Sequence, residues 1–171
     1  VVTPREKCYW NFYEWAHGLD DGWDYGREFD NVDGSRLDAP INLMLSYALF
    51  CAAQLADWTG DIAYAEDLRA RQSALNARCN ETFWAEEAGL YRSFTAVPDH
   101  FCELTQALAL LSGAATGDRA TALRRALAAG SIEIPTTLSY ALFKYEAMIA
   151  DPAFRRAAVE DCLRTWGEMT L

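Results

Sequence analysis

Residues Ile41 to Asp61 read INLMLSYALFCAAQLADWTGD, and this stretch decides the fold of the chain. Its apolar residues recur with the 3.6-residue period of an α-helix. Pro40 suits the first turn of that helix behind Asp38, a residue type that caps helices, and Gly60 ends it. The members of the apolar face are Leu43, Tyr47, Phe50, Cys51, Leu55 and Trp58.

The same signals recur along the chain and predict five further helices. They run over residues 61–84, 103–114, 119–129, 136–149 and 151–167, with Thr136 or Thr137 as the cap of the fifth helix. A turn at 86–89 and a short strand at 90–94 separate the second helix from the third. A short helix is also predicted around Trp10, Tyr13 and His17, followed by a loop over residues 18–39. Six main helices joined by short turns form three αα-hairpins.

Charge alternates between successive helices, and this alternation predicts how they are layered. The first, third and fifth are apolar (ALFCAAQLA, TQALALLSGAA and SYALFKYEAMIA), whereas the second, fourth and sixth are charged (EDLRARQSALNAR, DRATALRRAL and AFRRAAVEDCLR). Inner helices buried on most sides and outer helices facing water give this pattern in an α/α toroid or an α-solenoid. The predicted fold class is all-α, with hairpins that form part of an (α/α)6 toroid.

Composition limits the function classes that the chain can serve. The 171 residues carry a formal net charge of −10, with 51% hydrophobic and 23% charged residues. An acidic surface repels phosphate, which argues against nucleic acid and against an anionic membrane as partners. No uninterrupted apolar run reaches the roughly 18 residues that span a bilayer. A neutral carbohydrate is compatible with this charge.

The five cysteines are odd in number and widely spaced, without a Cys/His cluster, which argues against a zinc site and favours a reducing, cytoplasmic compartment. The aspartates near Gly34 do not have the spacing of an EF-hand loop, so no metal is expected. His100 is interpreted as a loop residue. Glu133 and Glu146 lie in or near the apolar fifth helix, where burial would raise a carboxyl pKa, and surface placement is the alternative.

The candidate site is the segment from Tyr9 to Trp23, YWNFYEWAHGLDDGW, which combines aromatic rings with carboxylates. A pyranose stacks its apolar face on an aromatic plane, and its hydroxyls donate to carboxylates. Glu14 and Asp21 are the in-chain candidates for an acid and base pair. Core packing of the rings and a solvated acidic loop are the alternatives. The candidate substrate-binding residues are Trp10, Glu14, Trp15, His17, Asp20, Asp21 and Trp23.

Several motifs together resemble the catalytic domain of bacterial α-L-rhamnosidases, which are six-hairpin glycosidases with an (α/α)6 barrel. They are WNFYEW, INLMLSYALFCAAQLADWTG, LNARCNETFWAEEAGLYRSF, TQALALLSGA, PTTLSYALFKYEAM and RTWGEMTL, in the order of the family. Leu104 stands where that family often has a histidine. The resemblance implies inverting hydrolysis of terminal α-L-rhamnosides by a parent enzyme, without a metal or organic cofactor.

The family's general-acid motif, Asp-Glu-Arg followed by Gly-Trp, would precede this chain, and its Gly-x-Thr-Thr-x-Trp-Glu motif would follow it. The chain begins Val-Val, and we expect a central segment of a longer protein, inactive alone, with the catalytic carboxylates outside its ends. It is treated as one domain, with an aromatic and acidic segment over 1–39 and three hairpins over 40–171. Its expected partners are a carbohydrate and either the remainder of the barrel or a second copy, because half a toroid exposes an apolar edge. The alternatives are a non-catalytic carbohydrate-binding or helical-repeat module, and a trehalase-like or glucosidase-like enzyme.

Overall fold

The structure, a computed structural model, describes residues 12–19 and 37–167 and is all-α apart from one two-stranded hairpin. The six helices lie at nearly the predicted positions. The elements are α1 (Ala39–Trp58), α2 (Ile62–Phe83), β1 (Trp84–Ala85), β2 (Leu90–Tyr91), α3 (Glu103–Leu111), α4 (Gly117–Ala129), α5 (Ala141–Ile149) and α6 (Arg155–Gly167). A 3₁₀ turn, Pro152–Phe154, leads into α6.

Local capping explains some of these boundaries. The Asp61 carboxylate accepts the backbone N–H of Tyr64 and so begins α2. Gly130, at a φ of 60°, ends α4 in the left-handed conformation that glycine adopts without strain. Asp38 precedes α1 as predicted, but it makes no side-chain capping hydrogen bond. Its carboxylate instead accepts the hydroxyl of Tyr13 at 2.7 Å.

The predicted start of the fifth helix was wrong. Helix α5 begins at Ala141 with Tyr140 as its N-cap, so neither Thr136 nor Thr137 caps it. The backbone N–H groups of both threonines donate to buried glutamates elsewhere in the fold. The two threonines therefore make tertiary hydrogen bonds to Glu103 and Glu14 and do not form the predicted helix start.

The helices form two layers in the way that their charge pattern predicts. Helix α3 packs between α1 and α5, and these three make an inner row. Helices α2, α4 and α6 lie on the outer side, each paired with the inner helix that precedes it. The core sits around α3, in which every residue from Glu103 to Leu110 is buried.

The long connections gather at the N-terminal ends of the inner helices, which we call the loop end. Residues 84–102 reach α1, where Ala39 N–H donates to Ser93 O. Residues 130–140 reach α3, where Glu103 N–H donates to Ile134 O. The turns at the opposite end, residues 59–61, 112–116 and 150–151, are short. Because loops on a rigid scaffold commonly carry function, the loop end is where a site is expected.

Both flanks of the inner row expose apolar side chains. Helix α1 exposes Leu45, Leu55 and Trp58 on one flank. On the other flank, the exposed residues in and next to α5 and α6 are Leu138, Leu142, Ile149, Val159 and Leu163. Helix α1 is also long and apolar enough to cross a membrane by length and composition alone, a test that core helices of soluble proteins pass equally.

Candidate functional site

Residues 12–19 form a tight turn at the loop end, not the short helix that was predicted there. The carbonyl of Leu19 accepts the backbone N–H groups of both Tyr13 and Glu14, and Gly18 closes the turn at a φ of 72°. This geometry buries Glu14, Ala16 and Leu19. It leaves Trp15 and His17 exposed on the opposite side.

Trp15 and His17 are the sequence-predicted site residues that the structure places at the surface. The Trp15 side chain is 58% exposed, and its ring meets Phe12 edge-on at a centroid distance of 4.8 Å. The His17 ring stacks on His100 at 6.0 Å. The two exposed rings therefore stand two positions apart on one turn, where a flat apolar ligand face could rest.

His100 supports this turn from below, a role that its interpretation as a loop residue did not foresee. It is buried, its Nε2 forms a 2.7 Å hydrogen bond with the carbonyl of His17, and its ring packs on Phe94. The contact joins positions 83 residues apart. No local sequence pattern could have indicated it.

Glu14 lies in the interior and does not face solvent. Its side chain is fully buried, and Oε1 accepts the backbone N–H of Thr137 at 2.6 Å. Oε2 has no hydrogen-bond partner in the described part of the chain. Burial raises the pKa of Glu14 to about 7, against the hydrogen bonds from Thr137 that lower it, and the nearby Glu103 adds to the rise.

The other predicted binding residues, Trp10, Asp20, Asp21 and Trp23, lie outside the described residues. The candidate pair of Glu14 and Asp21 therefore has no measured separation, and it stays a prediction. Where the chain is described, no group of three or more His, Cys, Asp or Glu side chains is arranged to hold a metal ion.

A buried charge network beside the turn was missed by the sequence analysis. The Lys144 ammonium on α5 lies 2.8 Å from Glu103 Oε1 on α3 and 3.1 Å from Asp161 Oδ2 on α6. Glu103 Oε2 accepts the backbone N–H and the hydroxyl of Thr136. The network thus joins two inner helices, an outer helix and the loop before α5.

The ion pairs of this network shift the pKa values of Lys144 and Asp161 toward their charged forms. Burial by itself would lower the pKa of Lys144, but the hydrogen bond and charge of Glu103, followed by those of Asp161, raise it. Burial by itself would raise the pKa of Asp161, and Lys144 together with Arg164 lowers it. Both groups therefore stay charged. Of the acids weighed from the sequence, Glu133 is exposed, and Glu146 is half-buried and accepts the Tyr47 hydroxyl.

The network borders an open cavity of about 330 Å³ beneath the loop before α5. Its charged walls include Glu103, Lys144, Asp161 and Arg164, in which Lys144 pairs with both carboxylates and Arg164 pairs with Asp161. The described residues therefore offer an aromatic surface on a braced turn. Of the two in-chain candidates for an acid and base pair, Glu14 is fully buried and Asp21 lies outside the described residues.

Comparison with known proteins gives a likeness of fold. No protein-family model and no curated protein sequence matches the chain. Among solved structures, the chain is similar to a GH78 family rhamnosidase of Bacillus sp. GL1, with a TM-score of 0.74 and 24% sequence identity. The alignment covers 94% of this chain and 16% of that protein, so the chain spans about one sixth of the rhamnosidase's length. The chain has the fold of one helical portion of that enzyme.

Proposed function

We propose that this chain is part of the helical catalytic domain of a glycoside hydrolase of the α-L-rhamnosidase type. The observation that carries the proposal is the fold likeness to a rhamnosidase over 94% of the chain. The order of the motifs from WNFYEW to RTWGEMTL supports the same assignment. The parent enzyme would hydrolyse terminal α-L-rhamnosides with inversion. One carboxylic acid would protonate the leaving oxygen and one carboxylate would activate water.

The exposed flanks support a larger helical body around the three hairpins. Helix α3, with an inner helix on each side, is buried along almost its whole length. Helices α1 and α5 are similarly apolar, yet within the described ranges each has an inner helix on one side only and exposes large apolar residues. Further apolar inner helices on these flanks would bury that surface as α3 is buried. An (α/α)6 toroid would continue the row of inner helices in both directions.

In this proposal the turn over residues 12–19 forms part of the wall of the sugar site. Trp15 would stack against the apolar face of a sugar ring, and His17 would accept or donate a hydrogen bond to a hydroxyl. Both lie at the loop end, the end of the inner helices that carries the long connections. The catalytic carboxylates would come from parts of the enzyme outside this chain.

The test compares two exposed aromatic residues in the intact protein. Trp15→Ala removes the proposed stacking ring, and Tyr64→Ala removes a ring that is 55% exposed on the outer helix α2, at the end opposite the loop end. With an aryl α-L-rhamnoside as substrate, Trp15→Ala should raise KM about tenfold, the value of one good stacking contact. Tyr64→Ala should leave KM unchanged.

Other outcomes would redirect the assignment. Sugar binding by the intact protein without any turnover would favour a non-catalytic carbohydrate-binding module. Turnover of glucosides in place of rhamnosides would favour a trehalase-like or glucosidase-like enzyme. Enzyme-like turnover by residues 1–171 alone would contradict the proposal that the catalytic carboxylates lie outside this chain.

A further inference from the structure

The contact between Glu14 and Thr137 fastens the turn to the helical body. It joins residues 123 positions apart and links the turn over 12–19 to the loop before α5. The carboxyl is fully buried, so water cannot replace the Thr137 N–H at Oε1. The position of Trp15, the next residue, depends on this contact.

Among the described residues, no cation compensates the Glu14 carboxyl. Across residues 12–19 and 37–167, Glu14 makes no ion pair with a lysine, arginine or histidine. From α3, Glu103 faces it with a like charge, and the buried Cys102 thiol lies nearby. From α5, the Lys144 ammonium is already bonded to Glu103 and Asp161. The loop before α5 contributes the uncharged Thr137, and on the turn itself His17 is exposed.

A neutral carboxyl suits this place better than an ionised one. Its carbonyl oxygen can accept the Thr137 N–H, while a buried charge without a cation carries a large desolvation cost. Ionisation would also place negative charge on Oε2, which has no hydrogen-bond partner among the described residues, and this adds to the desolvation cost. Lys144 and Thr136 both donate to the Glu103 carboxylate, and no described cation gives Glu14 equivalent support.

We propose that Glu14 is a positioning residue that, in its neutral form, holds the turn over residues 12–19 on the loop before α5 and releases it on ionisation. Protonation of the Glu14 carboxyl thereby helps to hold the exposed rings of Trp15 and His17 in position. The effect of this latch on sugar affinity rests on the proposed function, whereas the latch itself does not.

The direction of the pH dependence follows from the chemistry. A released Glu14 has the ordinary carboxyl pKa of 4.5, and burial in the docked turn raises it to about 7. Docking is therefore strongest below pH 4.5, weakens as the pH rises from 4.5 to about 7, and stays at its weakest above that.

Hydrogen exchange followed by mass spectrometry on the intact protein tests this latch. At each pH, the exchange rate of the peptide that contains Thr137 is divided by the exchange rate of a peptide within α3 of the same molecule. This ratio removes most of the intrinsic effect of pH on amide exchange. Between pH 5.5 and 8 the ratio should rise by roughly thirtyfold, because docking weakens over the roughly 1.5 pH units between 5.5 and the docked pKa of about 7. In Glu14→Gln, a neutral isostere, the ratio should stay flat.

His17→Gln is the matched control, because His17 is the histidine of the same turn. It should keep the full pH response. A flat ratio in the unmodified protein, or a response that His17→Gln abolishes, would overturn the proposal even if Glu14→Gln failed to fold. A pH-dependent turn in a protein that binds no sugar would leave the latch standing and reject only the proposed function.

Discussion

The ammonium of Lys144 lies 2.8 Å from Oε1 of Glu103, and both side chains are almost completely buried. The same ammonium reaches Asp161 at 3.1 Å, so one cation pairs with two interior carboxylates from different helices, and Arg164 supplies a second cation to Asp161. An interior network of this kind is sensitive to the loss of a single member, because the charges that remain have no water to solvate them.

Lys144→Met should therefore destabilise the protein by about 3–5 kcal/mol, since it leaves the buried Glu103 without a cation and Asp161 with Arg164 alone. Chemical denaturation, read as the free energy of unfolding, measures the loss. Arg71→Met is the matched control, because Arg71 pairs with Asp67 on the exposed side of α2 and should cost less than about 1 kcal/mol. Equal losses for the two variants would contradict a buried network.

Gln106→Leu should cost about 1–3 kcal/mol for each backbone group that it strands. The Gln106 side chain accepts the N–H of Tyr91 at 2.8 Å and donates to the carbonyl of Tyr91 at 2.7 Å, in the manner of a neighbouring strand. Both groups are buried and would lose their partner. Thermal unfolding compared with the unmodified protein gives the difference.

Gln72→Leu serves as the control for that variant. Gln72 donates to the carbonyl of Ser112, but Asn76 donates to the same oxygen at 2.9 Å and would continue to satisfy it. The expected loss is therefore smaller than for Gln106→Leu. A Gln106→Leu variant as stable as this control would show that β2 does not depend on the side-chain amide.

Tyr47→Phe should cost about 1 kcal/mol, because it removes the bond from the Tyr47 hydroxyl to Glu146 Oε1 at 2.7 Å. This bond joins α1 to α5, the two helices that flank α3. Tyr64→Phe removes the hydroxyl of a tyrosine that is 55% exposed at the start of α2, and should be nearly neutral. A double-mutant cycle with Glu146→Gln should recover the coupling, and a coupling of zero would exclude a bridge in solution.

Residues 1–171 produced as an isolated chain should self-associate through the exposed apolar flanks. Leu142→Lys combined with Leu163→Lys should lower the association, because both side chains are about two-thirds exposed on α5 and α6. Sedimentation velocity over a range of concentrations measures it. Glu66→Lys on the exposed side of α2 changes charge without removing apolar surface and should have no such effect. A monomer at all concentrations without any substitution would argue against flanks that need covering.

The sequence determined the six helices and their division into inner and outer layers. Helical periodicity, Gly60, Gly130 and the Asp61 cap act within a few residues, so a local pattern is sufficient to locate them. The alternation of apolar and charged helices reports exposure to water, and this is why it also predicted which helices form the inner row.

Only the tertiary structure decided the positions of the functional side chains. The buried Glu14 is hydrogen-bonded to Thr137, 123 residues away, and Lys144 is paired with acids on two other helices. These contacts also moved the start of α5 to Ala141 and made the turn over 12–19 non-helical. Whether a carboxylate faces water or the interior depends on what packs over it, and residues distant in sequence supply that packing.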